Sequence, residues 1–311
     1  MNRLKLRWTS VAWSVAYLLL LLSLITSVRV IGMLFLIVPV VVLYSTLTLR
    51  QFIMHLIPVW LIALIIAGQA GLFLPILGIF FMIPGIVMGR MYKKYQPALK
   101  VIFAGGLTAL VELLVLLLIA TAVFHFSLGE YVRDVIQISV APLQAMADVN
   151  SNLSDVLTPE YIIGLSNYTL TLIPSALIIA SFTMAIITHA VSRPLLESMN
   201  YSVPRLKPAR DWRLPRSLIW YYLIAVFLEF IARSNMTGVL AAIVLNFMPL
   251  VHLAFTIQTI GFVYFWASQR KWGSFLPFIL AIVVVLIPPL RIIGIIDLAF
   301  PLREYITRTK R

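Results

Sequence analysis

The 311 residues are 62% hydrophobic and 11% charged, with 24 Lys and Arg against 11 Asp and Glu and a net charge of +13. That little charge cannot cover so much apolar surface in water, which excludes soluble enzymes, fibrous proteins and disordered chains. An all-α polytopic membrane bundle remains. The lack of cysteine also removes disulfides, thiol chemistry and Cys-ligated metal.

A spanning helix needs roughly 20 mostly apolar residues. Runs of that kind lie at about 9–27, 30–48, 52–68, 71–89, 101–124, 162–189, 217–233, 238–267 and 275–298. Arg3, Lys5 and Arg7 precede the first run, but no small-residue cleavage site closes it and further spans follow. It therefore reads as a retained helix, not a signal peptide. Arg90, Lys93, Lys94 and Lys100 make the 90–100 loop basic, and the 190–217 loop carries Arg193, Arg205, Lys207, Arg210, Arg213 and Arg216 against Glu197 and Asp211. By contrast, the 125–161 loop is acidic. Basic loops stay in the cytoplasm, so the N-terminus is expected inside and the acidic loop outside. Basic residues flanking apolar runs orient the chain in the bilayer and do not point to nucleic acid.

Within the long 125–161 loop, Val132, Val135, Ile136, Val140 and Leu143 form an approximate helical stripe, expected to lie on the outer interface or cap the bundle. Thr158, Pro159 and Glu160 read as the N-cap and first turn of the next span. Pro288-Pro289 must interrupt the last run, since the second proline lacks a donor and both rings clash with the preceding turn. Either that segment re-enters and leaves the basic tail inside, or it crosses, so the count is eight or nine spans. Pro194, Pro204, Pro208 and Pro215 make the loop before the seventh run extended. The chain thus divides into a six-helix bundle (1–190), a basic Pro-rich cytoplasmic linker (191–216), and C-terminal membrane helices with a basic tail (217–311).

Gly71, Gly78 and Gly85 recur every seven residues in the fourth span, with Gly89 four beyond. Such a seam lets another backbone approach and reads as helix packing or partner docking. Ala12 and Ala16 form a smaller version in the first span. Ionisable groups in spans are costly, which makes Glu112 a candidate for a substrate or proton path. Glu229 and Arg233, four apart with the acid first, are placed to pair within the membrane. Arg291 and Asp297 flank the end of the last segment. Asn246, His252 and Thr256 belong to a polar stripe in the eighth run that could line a solute pathway or bond between helices.

No Walker A loop, HExxH or GxSxG motif is present, and the four histidines are scattered, so neither cofactor nor metal is expected. An intramembrane enzyme would have only Glu112, Glu229 and His252 as acid/base groups, on three different helices. No catalytic residue is therefore assigned.

The basic N-terminus, the Gly/Pro-rich fourth span, the acidic loop and above all the run Gly294-Ile-Ile-Asp297-Leu-Ala-Phe300-Pro-Leu-Arg303 resemble the YybS family of bacterial multi-pass membrane proteins. That family is in turn distantly similar to substrate-binding subunits of energy-coupling-factor vitamin transporters and to MreD-type cell-shape proteins. Those subunits have six helices, and an Ala-x-x-x-Ala in their first helix docks on the transmembrane coupling subunit. The resemblance thus implies that Ala12 and Ala16 dock a partner and that residues 1–190 capture a vitamin-like solute. Other membrane subunits and an ATPase would supply energy. The alternative it implies is a non-catalytic scaffold for envelope or signalling proteins. Either would sit in the bacterial cell membrane.

Overall fold

The computed structural model describes residues 3–68, 74–147, 158–232, 238–300 and 302–308, and among them every regular element is helical. In chain order these are α1 (Arg3–Ser23), α2 (Arg29–Phe35), α3 (Ile37–Thr46), α4 (Leu49–Ala67), α5 (Leu74–Lys93), α6 (Ala98–Phe124), α7 (Leu128–Ala147) and α8 (Pro159–Ser198). They continue with α9 (Ser217–Ala232), α10 (Val239–Gln269), α11 (Phe275–Leu286), α12 (Ile292–Ala299) and α13 (Leu302–Arg308).

Among the described residues six helical segments are long and apolar enough to cross a membrane: Arg29–Thr46, Leu49–Ala67, Leu74–Lys93, Ala98–Phe124, Pro159–Ser198 and Val239–Gln269. A seventh is reached if Phe275–Leu286 and Pro288–Ala299 count as one span, but the pair is bent by 110° at the Pro288-Pro289 break. The difference from eight or nine lies in that break and in two apolar helices, Trp8–Ser23 and Ser217–Phe230, that are shorter than a full span.

The chain forms two compact units, residues 1–126 with 177–206, and 127–176 with 207–311. This partition does not follow the composition boundaries at 190 and 217, because α8 runs from the second unit into the first. It also continues to Ser198, beyond the expected end at 189. Pro194 within it supplies no donor to the carbonyl of Ala190, yet the helix continues through it.

In the first unit, α1 buries Ser14, Tyr17 and Leu21 at helical spacing, with Leu24 buried just past its end. The Ser14 hydroxyl and His55 Nδ1 on α4 share a hydrogen bond of 3.1 Å, and Tyr17 donates to the Gly78 carbonyl of α5 at 3.1 Å. Thr48 and Gln51 form a reciprocal capping box at the start of α4. The α5 seam is internal packing. A Cβ on Gly85 would lie 2.6 Å from Val40 Cγ1 of α3, and one on Gly78 would lie 3.1 Å from Trp60 Nε1. Gly71 lies outside the described residues.

In the second unit, Thr158 accepts a hydrogen bond from the Tyr161 amide at 3.2 Å, the expected cap of α8. On α7, Val132 and Val140 are buried with Ile136 half-buried between them, whereas Val135 and Leu143 are exposed. The buried stripe is therefore narrower than the one read in the sequence. Val251, Phe255 and Leu298 form a small core here, with Tyr222 and Phe247 packed against it.

Candidate functional site

Three helices of the first unit, α3, α5 and α8, end around a pocket of about 300 Å³. From α3 comes Ser45, and the end of α5 supplies Tyr92, Lys93 and Tyr95. Leu196 of α8 and the turn that follows it, Asn200 to Val203, complete the wall. Gly89 lets α3 come this close, since a Cβ there would lie 3.0 Å from Tyr44 Cδ1 and 3.3 Å from Ser45 Oγ.

Two matching helix ends shape the rim. At the end of α8 the Tyr201 amide donates to Leu196 O at 2.9 Å and the Asn200 amide to Glu197 O at 3.0 Å, with Asn200 left-handed at φ 64°. At the end of α5 the Gln96 amide donates to Met91 O at 3.1 Å and the Tyr95 amide to Tyr92 O at 2.9 Å, with Tyr95 at φ 51°. Both are Schellman endings built without glycine. A left-handed non-glycine residue carries a cost of roughly 1–2 kcal/mol.

The chemistry of the wall is donor-rich. Lys93 Nζ donates to Leu47 O at 2.7 Å and lies 4.6 Å from the Tyr44 ring centroid. Tyr92 Oη shares a 2.6 Å hydrogen bond with His189 Nδ1, and Tyr201 donates to Thr46 O at 3.4 Å. Glu197 binds Arg193 at 2.9 Å and Arg205 at 3.0 Å, which ties the chain after α8 back onto the helix. Behind this wall α8 carries a buried polar stripe, Ser181, Thr188, His189 and Ser192. The hydroxyl oxygens of Ser45, Thr188 and Ser192 and the Arg193 Nε are buried without a hydrogen-bond partner among the described residues. Sequence reading missed this stripe, although its spacing along a long apolar helix is the signal that would have found it.

The second unit holds a buried polar network. Asp297 of α12 is fully buried and accepts from Arg303 Nε at 3.1 Å, from its Nη2 at 2.8 Å and from Gln258 Nε2 of α10. Arg303 Nη1 donates to Arg210 O at 3.0 Å, and Gln258 Oε1 accepts from the Leu214 amide at 2.8 Å. Thr259 Oγ1 accepts from the Gly294 amide at 3.0 Å. A Cβ on Gly294 would lie 2.5 Å from Phe255 O and 2.6 Å from Thr259 Oγ1. Asp297 thus pairs with Arg303, and the network clamps the bent α11–α12 segment onto α10.

The structure does not gather the pathway residues named from the sequence. Asn246 bonds α10 to α8: its Nδ2 donates to Thr171 O at 2.6 Å and Ala242 O at 2.8 Å, and its Oδ1 accepts from the Ser175 amide at 2.8 Å. Thr256 returns its hydroxyl to His252 O at 2.9 Å, and the His252 ring packs edge-on against Tyr222. Both carboxylate oxygens of Glu112 on α6 are buried without a partner among the described residues. Ala12 is exposed and Ala16 half-buried on α1. Glu229 is half-buried on α9, and its expected partner Arg233 lies outside the described residues. Among the described residues no group of three or more His, Asp or Glu could hold a metal.

No solved structure matches the chain. The uncharacterized protein YybS of Bacillus subtilis (strain 168) is 22% identical over 229 residues, which cover 71% of this chain and 72% of that protein. Residues 14–298 match the family described as "Predicted membrane protein (DUF2232)", a stretch that includes every residue lining the pocket. The resemblance to the YybS family therefore holds: this helical membrane protein belongs to the DUF2232 family of predicted membrane proteins.

Proposed function

We propose that this protein is a ligand-binding membrane subunit, the solute-capturing component of an uptake system that draws energy from partner subunits, including an ATPase. The observation that carries this reading is the polar pocket of about 300 Å³ in the first unit. Its size is at the lower bound of small-molecule sites. Its wall combines apolar contact with a few convergent polar groups, the pattern of a binding site and not of a catalyst. Under the orientation read from loop charge, the pocket opens on the cytoplasmic side, as expected for a subunit in its releasing state. The exposed Ala12 on α1 leaves the small-residue patch free to meet a partner helix.

The tagged protein, purified from its native membrane in mild detergent, should bring down an ATPase and a membrane coupling subunit. Replacing Ala12 and Ala16 with Trp should release them. Unchanged co-purification would overturn the docking role of this face. Recovery of envelope or signalling proteins without an ATPase would replace the uptake reading with the scaffold one.

A further inference from the structure

We infer that the pocket formed by the ends of α3, α5 and α8 takes an anion of the phosphate-bearing class, supplied by a soluble phosphorylated compound or by an acidic lipid headgroup. This deepens the ligand-binding reading and rests on it. The residues lining the pocket carry donors: the Lys93 ammonium, the Tyr95 phenol, the Asn200 side-chain amide and the Ser202 hydroxyl, while the Tyr201 phenol is given to Thr46 O. No carboxylate lines it. Glu197, the acid nearest in sequence to the Asn200 turn, is compensated by Arg193 and Arg205. Ser45 is only 8% exposed, and its Oγ is buried without a partner among the described residues. A buried hydroxyl left without a partner carries a free-energy cost, which a ligand oxygen would remove once the atoms covering it shift.

One feature of the fold opposes an anion, because three helix C-termini point their negative poles here. Local bonds blunt that opposition. The Schellman bonds take up carbonyls at the ends of α5 and α8, and Lys93 takes up Leu47 O beyond α3. An ammonium has three donors, so that bond and the Tyr44 ring leave capacity for a ligand. Arg90 in the last turn of α5 and Lys94 just beyond it add a positive field without a compensating acid. Donors arriving from three chain segments suit the tetrahedral oxygens of a phosphate better than a planar carboxylate.

The test uses the full-length protein. In delipidated neutral detergent it is titrated with inorganic phosphate by calorimetry. In phosphatidylcholine nanodiscs with and without phosphatidylglycerol, the lipids it retains are read by native mass spectrometry. Saturable phosphate binding identifies a soluble source, and selective retention of phosphatidylglycerol identifies a lipid; either supports the inference. Asn200→Asp adds a like charge at a left-handed position that Asp tolerates, and it should weaken binding by about tenfold or more. Lys93→Gln should do the same, whereas Lys100→Gln, outside the wall, should leave binding within about twofold. Binding unaffected by Asn200→Asp, or no binding of either probe, would overturn the anion assignment. A neutral or cationic molecule retained by the wild-type protein would overturn that assignment while leaving the ligand-binding reading in place. Retention of no molecule at all would overturn both.

Discussion

The carboxylate of Asp297 is out of contact with solvent and takes its hydrogen bonds from Arg303 and Gln258. A buried pair in this arrangement contributes little net energy while intact, yet removing one partner leaves a bare charge in a low-dielectric interior. Asp297→Ala should therefore cost about 3–5 kcal/mol of stability, measured by chemical unfolding in detergent. Replacing both Asp297 and Arg303 with Leu should cost less than the single change, because no unpaired charge is left; simple additivity would contradict the pairing. The sequence brought Asp297 to notice beside Arg291 at the end of the last segment, and Arg303 only as part of the C-terminal run. The pairing of Asp297 with Arg303, six residues on, was not read from the sequence, because α12 ends at Ala299 between the two and helical spacing does not carry across that end.

At the scale of elements, Pro174 shows how one helix repairs another. Proline lacks a donor and its ring presses on the carbonyl four residues earlier, which opens the α8 ladder. Asn246 of α10 enters that opening, linking the Ser175 amide and the Thr171 carbonyl through its own side chain. Asn246→Leu would leave both backbone groups unpaired in an apolar surrounding and should cost about 2 kcal/mol or more in thermal unfolding. Thr256→Val, which removes only a bond to its own helix, should be near neutral. Equal losses from the two changes would contradict the role given to Asn246.

Local chemistry explains which elements could be read in advance. Thr158 capped α8 and Pro288-Pro289 broke the last segment, because a hydroxyl acceptor and a missing donor act within a turn or two. The end of α8 was placed too early, since Pro194 usually stops a helix whereas this one runs on to Ser198. The pocket was not legible at all. Its rim depends on left-handed turns at Tyr95 and Asn200, where no glycine marks the position, and on three chain segments far apart in sequence.

For the whole molecule, composition alone was enough to establish a helical membrane protein, and among the described residues six to seven segments meet the length and apolarity of a span. It could not separate a full span from the shorter helices Trp8–Ser23 and Ser217–Phe230, nor foresee that α8 serves two units. Packing within each unit turned the α5 glycines and several intramembrane polar groups into helix contacts, while the pocket in the first unit gathers polar side chains from three chain segments. The most direct measurement is native mass spectrometry of the protein released from its own membrane, compared with Ser202→Trp, which fills the exposed side of the pocket wall. The account predicts a stoichiometric bound molecule in the wild-type protein that is lost in the variant while the fold and thermal midpoint are kept. A molecule retained equally by both, or absent from both, would contradict it.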